Sequence, residues 1–258
     1  MTATTALNNL HRPDGSATYT SPTTGHRVVC SVNGPLEVGR RDAQKPEEAT
    51  IDVLVRHGTG ATGVGERYVE GIVRDLISRV ILGREKGMPR KGVVVTLAVS
   101  GGKDGRGGRG EDVIAGRGGS YLPVLPALLN ATLLGLLTAS IPLSMTYTAA
   151  IIAVSSGKIL HEPSITDIST ASSLHVLAIS SNGHILLNES EGEFDLETWE
   201  TVVDRAHAIC QGGEDTSLGE KDVNMDESSE DGQDGLEGFV REVVGNKIQH
   251  DHAWSIAT

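Results

Sequence analysis

Residues Tyr121 to Ser155 read YLPVLPALLNATLLGLLTASIPLSMTYTAAIIAVS, and no other segment of the chain is so continuously apolar. An apolar run of about 18 residues is long enough to span a bilayer. This one is interrupted in ways a spanning helix is not. Pro123, Pro126 and Pro142 bracket a shorter helix, Asn130 and Thr132 sit within it, and no cluster of Lys or Arg flanks either end. The pattern predicts a buried helix from Ala127 to Ser140, a turn at Ile141-Pro142 and a buried strand from Thr146 to Val154. A helix apolar on nearly every side needs a partner on each face. The stretch therefore implies a layered domain with this helix sandwiched between a sheet and another layer or subunit.

On its N-terminal side, Arg12 to Tyr19 holds a turn signal, Pro13-Asp14-Gly15-Ser16, between short extended pieces. His26 to Val32 reads as a strand that Gly34-Pro35 breaks, and Ala49 to Arg56 alternates apolar and polar residues as a strand with one buried face. Val69, Ile72, Val73, Leu76, Ile77 and Val80 recur at helical spacing within Glu66 to Ile81, an amphipathic helix to lie on the sheet. Val93 to Val99 is a further strand. On the C-terminal side, Lys158 to Leu160 continues as an edge that Pro163 ends. Leu174 to Ser180 is a strand, and Asn182-Gly183 turns it back through Ile185 to Asn188. Asp195 to Cys210 and Leu236 to Ile248 have helical patterns. The order of elements describes a mixed α/β layered domain.

The net charge of -12 is concentrated. Ten acids between Glu214 and Glu237, against Lys221 alone, carry nine of those charges, so the remaining body is nearly neutral and has room for basic patches. Such a segment reads as a disordered acidic insert, 212–237. Aromatics make up 3% of the chain, which argues against a base-stacking platform. Cys30 and Cys210 lack metal-site or disulfide spacing and read as buried thiols of a reducing compartment. No basic region followed by an apolar one opens the chain, so no secretory signal is read.

Three motifs invite functional readings. Gly58-Thr59-Gly60-Ala61-Thr62-Gly63 has the G-x-G-x-x-G form between a strand and a helix, but no second strand ends in an acid about twenty residues on, and a strand-to-helix loop is the better reading. Arg106, Arg109 and Arg117 lie among the glycines of 101–119, where Asp104, Glu111 and Asp112 dilute their charge; the segment reads as a surface insertion. His250-Asp251-His252 reads as a solvated tail rather than a metal site.

Taken in order, Asp14-Gly15-Ser16, Ser31-Val32-Asn33-Gly34-Pro35-Leu36-Glu37, Arg74 within the amphipathic helix, Pro89-Arg90 before a strand, and Leu129-Asn130-Ala131-Thr132 through Ala139-Ser140-Ile141-Pro142-Leu143 resemble the RNase PH family. Within it they most resemble the ring subunits of the eukaryotic RNA exosome, of the forty-six type. The resemblance covers Leu10 to Cys210. It implies a single RNase PH-like β-α-β-α layered domain over 1–258, with two mixed sheets, sandwiched helices and inserts at 101–119 and 212–237. It also implies that subunits pair through their sheets and that three pairs close a ring around an RNA channel.

Active members of that family hold phosphate with an arginine at the start of the central helix and use two aspartates ahead of a later strand. Matching through Asn130 places the arginine position at Leu125, and matching through Gly119-Ser120 places it at Tyr121; the aspartate positions fall at Ile168 and Leu174, with Asp167 one place away. None of the four can bind phosphate by a charge-assisted bond, coordinate magnesium or move a proton as a carboxylate does.

The resemblance thus implies a non-catalytic ring subunit with no catalytic residue, metal or cofactor of its own. It would support 3'-5' RNA processing and degradation in nucleus, nucleolus and cytoplasm, including rRNA processing and mRNA and non-coding RNA turnover. Its partners would be other RNase PH-like ring subunits, the associated cap and catalytic subunits, and RNA held through phosphates, with no membrane. Arg74 and Arg90 fall where the family carries arginines, to contact RNA phosphate or to bridge carboxylates at a subunit interface. The alternatives are an active phosphate-dependent 3'-5' exoribonuclease and a free-standing homo-oligomeric RNA-binding protein.

Overall fold

The computed structural model describes residues 3–22, 24–38, 47–57, 63–100, 120–155, 157–212 and 235–256. In chain order the elements are β1 (Thr4–Leu7), β2 (Gly15–Thr20), β3 (Arg27–Glu37), β4 (Thr50–His57), α1 (Val64–Val80), β5 (Lys91–Ser100), α2 (Leu125–Thr138), β6 (Tyr147–Ser155), β7 (Lys158–His161), α3 (Ile165–Thr170), β8 (Ser173–Ser180), β9 (Ile185–Gly192), α4 (Leu196–Gln211) and α5 (Leu236–Ile256). One sheet has the order β1-β2-β3-β5-β4 and the other β7-β6-β8-β9. The first is mixed, because β4 and β5 run parallel through the α1 crossover. The second is wholly antiparallel, where two mixed sheets were expected.

The apolar stretch is the middle of the molecule. Every residue of α2 from Leu125 to Leu136 is buried, which is why its sequence has no polar face. It packs on β2 and β3 of one sheet and on β6 and β8 of the other, so both covering layers come from this chain. At Gly135 the helix comes so close to β3 that a Cβ would meet the Cys30 sulfur at 2.6 Å. A further layer covers the second sheet, with Val202, Ala206 and Cys210 of α4 on Ile152, Leu177 and Ile179.

Polar side chains fasten α2 to β6. β7 pairs only with Ile152 to Ser155, and among the described residues no strand lies along the start of that β6 edge. There Asn130 imitates one: its amide nitrogen donates to the Ala149 carbonyl (3.0 Å) and its oxygen accepts the Ala149 N–H (2.9 Å). The Tyr147 hydroxyl donates to the Leu129 carbonyl (3.1 Å). Buried backbone groups left unmet are costly, and these two side chains remove that cost.

Three local expectations are corrected, and one element is added after Pro163, which does end the edge strand. Gly34-Pro35 does not end β3, which runs on to Glu37 with a bulge after Asn33 and a cis Gly34–Pro35 peptide. The bulge is held from outside: the Gly34 N–H donates to the Asp14 carboxylate (2.8 Å). Gly15 and Ser16 belong to β2 rather than to the preceding turn. Pro163 is followed by the short helix α3, whose start is fixed by Ser164 and Asp167 bonding to each other's backbone amides. The last helix runs about two turns beyond Ile248 and carries His250-Asp251-His252 on its exposed end, with Asp251 paired to Lys247 at 2.6 Å. Among the described residues no helix is long and apolar enough to cross a membrane.

The 101–119 insert and residues 213–234 of the acidic insert lie outside the described residues. Gly212 and Gly235, which bound the latter, touch: a Cβ on Gly235 would collide with the Gly212 amide. Excising 213–234 and joining its ends through a two-glycine linker should therefore leave the melting temperature within a few degrees of the full chain. A cooperative transition lost on excision would show that the segment is part of the core.

His175 in β8 is buried, its ring nitrogens on Ser190 Oγ (2.8 Å) and Ser173 Oγ (3.0 Å), with the Phe194 ring edge-on at 4.7 Å. Burial lowers its pKa below the ordinary 6.5, because the imidazolium loses its water. The unfolded chain then takes the proton first as pH falls. Stability from this site is complete above pH 6.5 and declines as pH drops below it. Urea titrations from pH 8 to 5 should show that decline, and His175→Gln should flatten it. An equal slope in wild type and variant would place the titration elsewhere.

Candidate functional site

The positions that the resemblance aligned with a catalytic centre converge where the first turns of α1 and α2 meet the β6-α3-β8 region. Leu125 opens α2 and is 1% exposed. Ile168 and Leu174 form a buried cluster with Ala153, and Leu122 packs against it. Leu122 also lines a cavity of about 80 Å³ together with Tyr68, Val69, Ile72, Tyr121 and Leu125. The structure thus brings Tyr121, Leu125, Ile168 and Leu174 into one neighbourhood, joined through Leu122, and its chemistry is apolar.

The charged groups nearby are engaged by the fold. The Tyr121 hydroxyl donates to Glu66 Oε1 (2.6 Å), and its pKa is raised by burial first and by that carboxylate second. Glu66 Oε2 accepts the Gly63 N–H (2.8 Å), so a carboxylate of the chain itself stands at the N-terminus of α1. A helix N-terminus attracts anions, and here a fixed negative charge already occupies that place. Of the glycine motif only Gly63 is described, and this arrangement at its end opposes a pyrophosphate. Asp167 is turned into the α3 cap: its Oδ2 accepts from the Ser164 N–H (3.0 Å) and hydroxyl (2.6 Å), which hold its pKa below the usual carboxylate range. Tyr68, 59% exposed at the cavity mouth, donates to Glu189 of β9 (3.4 Å).

Arg74 and Arg90 are exposed and lie outside this region. Arg74 is two residues from Ile72, hence about 200° around α1 from the cavity wall. Arg90 sits in the turn before β5 with a left-handed φ of 63°. Neither makes a hydrogen bond or ion pair to the described residues, so among these they bridge no carboxylate. Sequence reasoning missed Glu66, Tyr68 and Glu189. Glu66 carried a signal, an acid in the first turn of a helix; the Tyr68–Glu189 pair joins residues 121 apart, and nothing local announces it.

No family model matches the sequence. Solved structures with this architecture include rice (Oryza sativa) Rrp46, at 22% identity over 81% of this chain and 88% of that one with a TM-score of 0.67. They also include the Archaeoglobus fulgidus exosome with RNA bound to the active site, at 14% identity over 80% of this chain and 84% of that one with a TM-score of 0.61. An archaeal exosome core matches at 14% identity over 80% and 82%, with a TM-score of 0.60. At these identities what is shared is the fold, and the chain has the RNase PH-like fold of exosome subunits.

Proposed function

We propose that this chain is a catalytically inactive ring subunit of an RNA exosome, which shapes the ring and part of the RNA path while cleavage occurs in associated subunits. The observation that carries the reading is the apolar replacement of the site: Leu125, Ile168 and Leu174 are each 1% exposed or less and carry no group that holds phosphate or a metal. In this reading the ring serves rRNA processing and the turnover of mRNA and non-coding RNA in nucleus, nucleolus and cytoplasm. Its neighbours are other RNase PH-like subunits, with cap and catalytic subunits attached. A docking face supports it. α1 and α2 pack on the inner face of the five-stranded sheet, while the outer face presents the rows Val29-Ala98-Arg56 and Ser31-Thr96-Leu54, small or partly exposed residues suited to a flat contact.

Homogeneous protein incubated with RNA, phosphate and magnesium should release no nucleoside diphosphate. Phosphate-dependent turnover that survives purification and is lost in Asp167→Ala would overturn the inactive reading. Tagged protein should capture related ring subunits in fixed stoichiometry, and a chain that stays alone at high concentration would overturn the ring. Arg74 and Arg90 are assigned to RNA phosphate or to the neighbour by changing both to Glu. An intact ring with weakened RNA binding places them on the RNA path, whereas failure to assemble places them at the interface.

A further inference from the structure

A second cavity, of about 40 Å³, lies beside β6 just beyond its last pair with β7. Pro22, Pro123, Pro126, Ala127, Ile209 and Leu236 give it apolar walls, which β6 completes from Ala149 to Ile151. Four polar side chains also line it: Tyr19, Ser21, Asn130 and Glu162. Asn130 is spent on the Ala149 backbone and also stands beside the Tyr19 hydroxyl. Apart from that amide, the side chains of Tyr19, Ser21 and Glu162 have no hydrogen-bond or ion-pair partner among the described residues.

The three differ in depth and agree in chemistry. Tyr19 is 5% exposed, and its pKa is pushed up to about 12, by burial first, against the Asn130 amide and with the Glu162 charge adding to the rise. It is therefore a neutral phenol. Ser21 and Glu162 are half-buried. Glu162 follows the last β7 pair, Ile152–His161, with a left-handed φ of 50° that takes it out of the ladder. It is the single ionised group of the lining, which includes no Lys, Arg or His among the described residues, so an anion would meet its charge unopposed. Carboxylate, phenol and hydroxyl all accept hydrogen bonds. A primary ammonium brings three donors, no acceptor and one positive charge. Its compact head suits so small a space, and its methylenes suit apolar walls. A guanidinium is broader, and its rigid fork of five donors exceeds the acceptors present.

We propose that this cavity binds a primary alkylammonium group, the end of a lysine side chain or of a free polyamine, with the nitrogen among Glu162, Tyr19 and Ser21 and the methylenes on the prolines and Leu236. The inference goes beyond the ring assignment and does not rest on it, since it follows from the lining alone.

Methyl NMR on the full chain, in whatever assembly it purifies, reads the site at Ala127, Ile151 and Ile209. n-Butylamine, a cation at neutral pH, should shift these methyls saturably. n-Butanol, with the same stem and no charge, should bind at least about fivefold more weakly, and butyrate should leave the methyls unmoved. Glu162→Gln keeps the shape and removes the charge, and should weaken n-butylamine by about fivefold to tenfold. Tyr19→Phe should weaken it by about twofold to threefold; if that variant fails to fold, Glu162→Gln, at a half-buried position, decides the matter. Two further ligands identify the source. Tighter binding by the capped tripeptide Gly-Lys-Gly than by cadaverine assigns the site to a protein segment, and the reverse assigns it to a free polyamine. No saturable shift with n-butylamine, equal affinity for n-butanol, or unchanged affinity in Glu162→Gln would each overturn the proposal.

Discussion

Leu125→Arg, the substitution that would restore the aligned phosphate arginine, should unfold the protein at moderate temperature instead of creating a phosphate site. Leu125 is 1% exposed and packed among Tyr121, Leu122 and Val69, so the variant loses a buried leucine and buries a guanidinium in its place. A large buried aliphatic contributes about 2–5 kcal/mol, and an unpaired buried charge costs several more. Glu66, the carboxylate bonded to the adjoining Tyr121, is also held by Gly63. A loss of about 4 kcal/mol is a large part of the stability of an ordinary domain and should lower the melting temperature by roughly 8–16 °C. Thermal unfolding measures it. An unchanged transition accompanied by phosphate binding would mean that the site is only one residue from function.

Asn130→Leu should be nearly as damaging, although it exchanges a polar residue for an apolar one of similar size inside an apolar helix. The side chain is 3% exposed, and its two bonds satisfy both backbone groups of Ala149 where β7 does not reach. Leucine leaves a buried N–H and a buried carbonyl unmet, at about 1–3 kcal/mol each. The melting temperature should fall by roughly 5–15 °C, and the Ala149 amide should exchange much faster with deuterated solvent. Wild-type exchange at Ala149 in the variant would show that another group, or water, takes over the pairing.

The central helix and the strand after it were legible because burial on all sides writes itself into composition: nothing between Leu125 and Leu136 needs to face water. What composition does not encode is who supplies the cover. The same apolar run fits a helix waiting for a neighbouring subunit and one enclosed by its own chain, and only the second sheet, assembled from residues 147–192, decides for the latter. Gly34-Pro35 misled for a related reason. Proline removes a donor and normally ends a ladder, but a bulge absorbs the disruption and Asp14, twenty residues away, bonds the adjoining Gly34 amide. The site was legible as a set of absences. Leu125 on one side and Ile168 with Leu174 on the other, positions taken from the resemblance, lie in two buried clusters that share Leu122, whereas the tyrosine–carboxylate pairs that give the place its character depend on contacts across 55 and 121 residues.

α1 also determines how this molecule can meet others. Glu70, buried on its inner side, accepts the Val55 N–H at the open margin of β4 (2.9 Å), and Arg79 donates to the Leu186 carbonyl of β9 (3.3 Å). One helix thereby bonds the outer strand at one border of each sheet, β4 in the first and β9 in the second, places where a stray strand would otherwise add and templated growth would begin. Encounters on that flank meet side chains instead of an open hydrogen-bonding ladder. A contact made on that flank is decided by the fit of side chains and not by backbone pairing alone.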